Sequence, residues 1–89
     1  MQIDFVNEEA GKNQLRKALA EVLDIDEERI KNETDFAKDL GVDSLMALEV
    51  VVMLEKNYQI KISEKELPQL ATLDDVYVLL KNKSEQHNA

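Results

Sequence analysis

The pair Asp43-Ser44 has the clearest potential for chemistry in this sequence. Both residue types are good helix N-caps, and they directly precede a helix-compatible run from Leu45 to Asn57. The first amides of a helix lack internal partners and carry partial positive charge, so a helix start favours a bound phosphate. Ser44 is therefore a candidate to carry a phosphodiester, whereas an isolated Asp-Ser-Leu tripeptide favours a simple helix cap.

Other reactive side chains are scarce. The sequence has no cysteine, so any thiol chemistry requires an added group. Its single histidine, His87, lies in the polar tail and has no credible nucleophile or orienting partner. Asp24-x-Asp26-x-Glu28 is superficially similar to a calcium loop, but Arg29 stands where that loop requires glycine. We therefore predict that the protein is not an enzyme and holds no metal.

The composition indicates one small acidic domain. Residues 1–89 are enough for a single modest core, predicted at about 8–83, followed by a polar C-terminal tail at 84–89. The 19 acidic and 11 basic residues give a net charge of −8, which disfavours nucleic acid and favours partners with basic patches. With no signal-peptide pattern and no bilayer-spanning apolar run, we expect a soluble, cytoplasmic monomer without membrane insertion.

Apolar periodicity and capping residues predict four helices. The first spans about Glu8 to Leu23 and the second Leu45 to Asn57, with a long loop between them. Ser63 opens a short third helix whose length Pro68 limits, and a last helix runs from Thr72 to near Lys83. The predicted fold class is therefore all-α, a four-helix bundle with three longer helices and one short third helix.

A longer string around Ser44 changes the balance between a cap and a chemical role. Phe36-Ala37-Lys38-Asp39-Leu40-Gly41-Val42-Asp43-Ser44-Leu45 resembles the acyl carrier protein family, in which Asp-Leu-Gly-x-Asp-Ser-Leu opens the second helix. The likeness extends over about Leu15 to Leu80. It implies that a phosphopantetheinyl transferase moves 4′-phosphopantetheine from coenzyme A onto Ser44. The thiol of this arm would hold acyl groups as thioesters.

The resemblance also implies partners that dock along helix 2, namely acyl-activating, condensing or acyl-transferring enzymes with basic patches. At 100° per residue, Leu45, Leu48 and Val52 lie on a different side of the helix from the core stripe. The predicted docking residues are Asp43, Leu45, Leu48, Glu49, Val52 and Glu55. Some family members shelter the acyl chain between helices 2 and 3, and the residues placed to line such a cavity are Leu54, Ile62, Leu67 and Leu70.

The pathway and the cargo stay open at the level of sequence. Many carriers of fatty acid synthesis have an acid where this chain has Met46, and the string from Ser44 to Glu49 looks at least as much like carriers of polyketide assembly. Fatty acid, polyketide and related lipid biosynthesis are all compatible. A peptidyl or aminoacyl carrier with the same arm is an alternative, and an unmodified acidic helical interaction domain is an alternative of another class.

Overall fold

The computed structural model describes residues 3–87 of the chain, with three α-helices, two 3-10 helices and no strand among them. The helices are α1 (Glu8–Leu23), α2 (Ser44–Tyr58) and α3 (Leu73–His87). The 3-10 helices are Glu27–Arg29, in the long loop, and Glu64–Gln69, which is the short third helix of the bundle. The predicted all-α class with one short helix is confirmed.

Side-chain caps fix where the helices begin. Asn7 Oδ1 accepts a hydrogen bond from the Ala10 amide at the start of α1. At the start of α3, Thr72 Oγ1 accepts from the Asp75 amide, and Asp75 Oδ2 accepts from the Thr72 amide in return. These two bonds form a reciprocal capping box at Thr72, where the sequence predicted the start of the last helix. Gln59 ends α2 in a left-handed conformation with φ 58.

The apolar stripes of the three α-helices meet in one core. Leu15, Leu19 and Leu23 of α1 are buried, in keeping with their helical spacing. Burial of this apolar surface is the main stabilising contribution in a domain of this size. The other buried apolar residues are Ile3, Ala20, Ile30, Phe36, Val50, Val51, Leu54, Ile62, Leu73, Val76, Tyr77 and Leu80.

The ordered part of the chain is longer at both ends than the predicted core. Ile3 is buried, the Phe5 ring packs on Tyr77 at 5.5 Å between centroids, and the Tyr77 hydroxyl donates to the Asp4 carbonyl. Helix α3 continues through residues 84–87, beyond its predicted end. Residues 88 and 89 of the predicted tail lie outside the described part of the chain.

The short third helix differs in detail from its prediction. It is a 3-10 helix, and the Ser63 side chain does not cap it but donates from Oγ to Glu66 Oε1 at 3.3 Å. Pro68 lies inside it, where its missing amide restricts regular α-helical bonding. None of its residues is fully buried, so this segment is more lightly packed than α1 and α2, which contribute buried residues to the core.

Candidate functional site

Ser44 is the first residue of α2, and its side chain is exposed. Asp43, not Ser44, caps the helix, since Asp43 Oδ1 accepts from the Met46 amide at 2.9 Å. The Ala47 amide donates to the Asp43 carbonyl, and among the described residues the amides of Ser44 and Leu45 remain as the open donors of the first turn. The Ser44 hydroxyl therefore faces solvent beside two donors suited to a phosphate.

The loop before Ser44 is held in place by backbone hydrogen bonds. Gly41 has φ +68, a left-handed conformation that glycine adopts without strain. The Val42 amide then donates to the Phe36 carbonyl, and the Phe36 amide donates to the Ala71 carbonyl, both at 2.9 Å. The segment leading to Ser44 is thus tied to the chain that precedes α3.

The long loop is also anchored at its other end, on α1 and α3. The Arg16 guanidinium donates to the Ile30 carbonyl and to Asn32 Oδ1. The Asn32 carbonyl accepts from the Asp74 amide at 3.2 Å. These bonds give a loop of irregular backbone a fixed path, so the exposed position of Ser44 is set by the fold.

The predicted docking residues on α2 form an exposed apolar stripe beside Ser44. Leu45 is 66% exposed, and Leu48 and Val52 are each 53% exposed. Glu49 and Asp43 are exposed next to this stripe. Because other described residues leave these three apolar side chains uncovered, the stripe is available to a partner protein.

Glu55, the sixth predicted docking residue, has a structural bond that sequence reasoning missed. It is only partly exposed, and its Oε2 accepts from the Ile62 amide at 2.8 Å. The carboxylate thereby holds the chain that leaves α2 against the end of that helix. No pattern in the sequence signals this bond, since Glu55 and Ile62 belong to different elements.

A small cavity of about 50 Å³ lies next to the start of α2. Two of the four predicted cavity residues, Leu67 and Leu70, line it. The other two are buried in the core instead, and these are Leu54 and Ile62. Phe36, Val42 and Ala47 line the cavity unpredicted, although the short sequence distance of Val42 and Ala47 from Ser44 was a signal for them.

In residues 3–87, no three His, Cys, Asp or Glu side chains are grouped so as to hold a metal ion. None of the helices in this range combines the length and the apolarity needed to cross a membrane.

Comparison with known proteins decides the family. The family described as "Phosphopantetheine attachment site" matches residues 13–79. The chain belongs to the acyl carrier protein family. Polyketide-8 synthase acyl carrier protein 2 of Streptomyces avermitilis is 47% identical over 72 residues, which cover 81% of this chain and 83% of the relative. The acyl carrier protein of Buchnera aphidicola subsp. Acyrthosiphon pisum is 34% identical over 73 residues, covering 82% and 91%.

A solved structure gives the same result for the fold. The solution NMR structure of holo acyl carrier protein from Geobacter metallireducens superimposes with a TM-score of 0.73 at 28% identity, covering 85% of this chain and 87% of the other. As an acyl carrier protein the chain is a carrier and not an enzyme, and its cofactor is phosphopantetheine. Carriers of this family work with transferases and synthase enzymes.

Proposed function

We propose that Ser44 is the residue that carries the phosphopantetheine arm. The matched range 13–79 contains two serines, Ser44 and Ser63. Ser63 donates its hydroxyl to Glu66 and precedes a 3-10 helix of six residues. Both serines are exposed, but the Ser44 hydroxyl has no hydrogen bond among the described residues, and Ser44 begins a helix of 15 residues. The dipole and open amides of that helix stabilise a phosphodiester. This contrast between the two hydroxyls carries the assignment.

The surroundings of Ser44 fit the arm without rearrangement. The hydroxyl is exposed, Asp43 is already engaged by the Met46 amide, and the loop positions the serine outward. When bound, phosphopantetheine supplies the thiol on which acyl groups are held as thioesters. The protein contributes a rigid attachment point and a surface that partners recognise. A separate transferase activates the Ser44 hydroxyl.

Intact-protein mass spectrometry tests this assignment. The protein is incubated with coenzyme A and a broad-specificity phosphopantetheinyl transferase, in parallel with Ser44→Ala and Ser63→Ala. We expect one phosphopantetheine addition to the wild type and to Ser63→Ala, and none to Ser44→Ala. No addition to folded wild-type protein, under conditions that modify a known carrier, would favour an unmodified acidic interaction domain.

Acyl intermediates of polyketide assembly are the cargo that we propose. The relative named as a polyketide synthase carrier is 47% identical, whereas the carriers of Buchnera aphidicola and Wolinella succinogenes named simply acyl carrier protein are 34% and 37% identical. Met46, in place of an acid, points the same way. The test compares transfer from the loaded arm to polyketide and fatty acid condensing enzymes, with amino-acid-activating enzymes as a third arm.

The exposed stripe on α2 is the proposed docking surface for these partners. Leu45, Leu48 and Val52 supply apolar contact beside the arm, and Glu49 and Asp43 supply negative charge. Basic patches on the transferase and on acyl-handling enzymes complement that charge and accelerate encounter.

The cavity lined by Leu67 and Leu70 is the proposed shelter for part of the acyl chain. Its volume of about 50 Å³ is room for only a few groups the size of a water molecule, each of which needs about 10–15 Å³ on the same measure. In the closed state it therefore has no room for a long chain. Sheltering requires one wall of the cavity to move.

A further inference from the structure

The residues that line the cavity differ in how deeply they are buried. Leu19 of α1, Val50 of α2 and Val76 of α3 line it, and all three are buried in the core. Leu67 in the short third helix and Leu70 at its C-terminal end line another side and are only partly buried, as are Val42 and Ala47 near the start of α2. Displacing the Glu64–Gln69 helix, none of whose residues is fully buried, would disturb the core less than displacing an α-helix.

Carboxylates of α2 and α3 hold the chain on both sides of the short third helix. At one end Glu55 Oε2 accepts from the Ile62 amide at 2.8 Å. At the other, Asp75 Oδ2 accepts from the amides of Ala71 and Thr72, at 3.2 and 3.1 Å. Residues 63–70 therefore lie between two fixed ends and would move as one segment, and Pro68 within it limits internal bending.

One ion pair fastens the middle of the segment. Lys83 Nζ of α3 lies 3.1 Å from Glu66 Oε1, and the two side chains are 20% and 25% exposed. Ser63 Oγ donates to the same oxygen. Glu66 is adjacent in sequence to Leu67, so release of the ion pair frees a residue that lines the cavity.

In the closed position, the Glu66 carboxylate does not use its full hydrogen-bonding capacity. Its second carboxylate oxygen, Oε2, is buried without a hydrogen-bond donor among the described residues. A buried acceptor without a partner opposes the closed state, whereas water satisfies that oxygen in the open state. The free-energy difference between the closed and open positions is therefore smaller than it would be if both carboxylate oxygens of Glu66 were bonded.

We propose that the Glu66–Lys83 ion pair is a latch that holds the short third helix against α3 and sets how readily the cavity opens. Its effect on cargo rests on the proposed carrier function of Ser44 and on the proposed shelter for the acyl chain. With the latch closed the acyl group stays outside, where partner enzymes reach it. With the latch open the chain enters between α2 and the short third helix.

Amide hydrogen exchange on the unmodified protein tests the latch itself. The variants are Lys83→Met and Glu66→Gln, and Lys81→Met on the exposed side of α3 is the matched control. We expect the Leu70 amide, which bonds the Leu67 carbonyl, to exchange roughly tenfold faster in both latch variants. Amides within α1 serve as the reference for global opening and keep their wild-type rates. Equal Leu70 rates in all four proteins would overturn the latch.

Cargo binding is tested with octanoyl-phosphopantetheine attached from octanoyl coenzyme A. In the latch variants we expect larger octanoyl-dependent NMR shifts at the Val50 and Leu67 methyl groups, and slower cleavage of the thioester by hydroxylamine. Faster exchange with unchanged shifts and cleavage would overturn the control of cargo by the latch. If the arm does not attach to Ser44, the proposed function fails, and the exchange rates still decide whether the latch exists.

Discussion

At the scale of single residues, Asp43 and Ser44 at the start of α2 divide two roles, since one caps the helix and the other keeps its hydroxyl exposed. Asp43 bonds the Met46 amide and is the helix cap, which leaves the Ser44 hydroxyl exposed. The sequence identified both as good caps but could not assign the bond, because each residue type makes it equally well. The division matters for function, since a hydroxyl engaged as a cap would be less available for modification.

This division predicts different stability effects at adjacent positions. Asp43→Ala removes the cap and should lower the free energy of unfolding by about 1 kcal/mol. Ser44→Ala removes no hydrogen bond among the described residues and should change it by less than about 0.5 kcal/mol. Urea denaturation of both variants measures the difference. A loss in Ser44→Ala as large as in Asp43→Ala would contradict the assignment of the cap.

The two glutamates predicted for docking, Glu49 and Glu55, should also differ in the effects of their substitution. Glu49 is exposed, so Glu49→Lys should slow transfer by partner enzymes at low salt and leave stability within about 0.5 kcal/mol of wild type. Glu55 holds the Ile62 amide, so Glu55→Lys should lose about 1–3 kcal/mol of stability. Denaturation midpoints and transfer rates are measured on both variants. Transfer rates unaffected by Glu49→Lys would remove this residue from the docking surface.

At the scale of elements, helix bounds set by neighbouring residues could be predicted from the sequence, whereas contacts between separate elements could not. The predicted range of α1 matches the structure, and α2 is one residue longer at each end than predicted. These bounds are predictable because the apolar spacing and the capping residues lie within or next to each helix. The bond from Glu55 to Ile62 and the cavity contacts of Phe36 join separate elements. Periodicity carries no information about such contacts.

The latch adds a pH dependence to the short third helix. The hydrogen bond from Lys83 to the Glu66 carboxylate lowers the pKa of Glu66 below its ordinary value of 4.5. A carboxyl whose pKa is lower in the folded state contributes stability above the unfolded pKa and loses it as the pH falls through the folded pKa. The contribution of the pair is therefore complete well above pH 4.5 and disappears in more acidic solution.

Unfolding experiments from pH 6 to pH 3 test this dependence. Wild type and Lys83→Met should differ in free energy of unfolding by a constant amount at the upper end of the range, and the difference should shrink as Glu66 is protonated. Lys81→Met should follow the wild type throughout. A Lys83→Met difference that stays constant to pH 3 would show that the ion pair does not stabilise the folded state.

At the scale of the whole molecule, the first residues of the chain complete the packing between α1 and α3. The Tyr77 hydroxyl donates to the Asp4 carbonyl across 73 positions of sequence, and the Lys12 ammonium pairs with Asp74 at 2.7 Å. The hydrogen bond to the Asp74 carboxylate raises the pKa of Lys12. Sequence reasoning placed the start of the ordered core at residue 8, because no pattern within residues 3–7 indicates what they contact.

Gly11 is the position where this packing leaves no room for a side chain. A Cβ there would lie 2.0 Å from the Asp4 carbonyl oxygen and 2.8 Å from Cε1 of Tyr77. Within a helix, replacement of glycine by alanine ordinarily stabilises by roughly 0.5–1 kcal/mol. The clash is with backbone, which has to move, and overpacking of this kind costs about 1–3 kcal/mol. The unfavourable effect is the larger of the two.

We therefore expect Gly11→Ala to lower the melting temperature, although helix propensity alone predicts a rise. A net loss of about 1 kcal/mol corresponds to roughly 4–8 °C in a domain of this size. Lys17→Ala, at an exposed position of the same helix, serves as the control and should change the melting temperature little. A Gly11→Ala protein that melts above the wild type would show that residues 3–7 do not pack on α1 in solution.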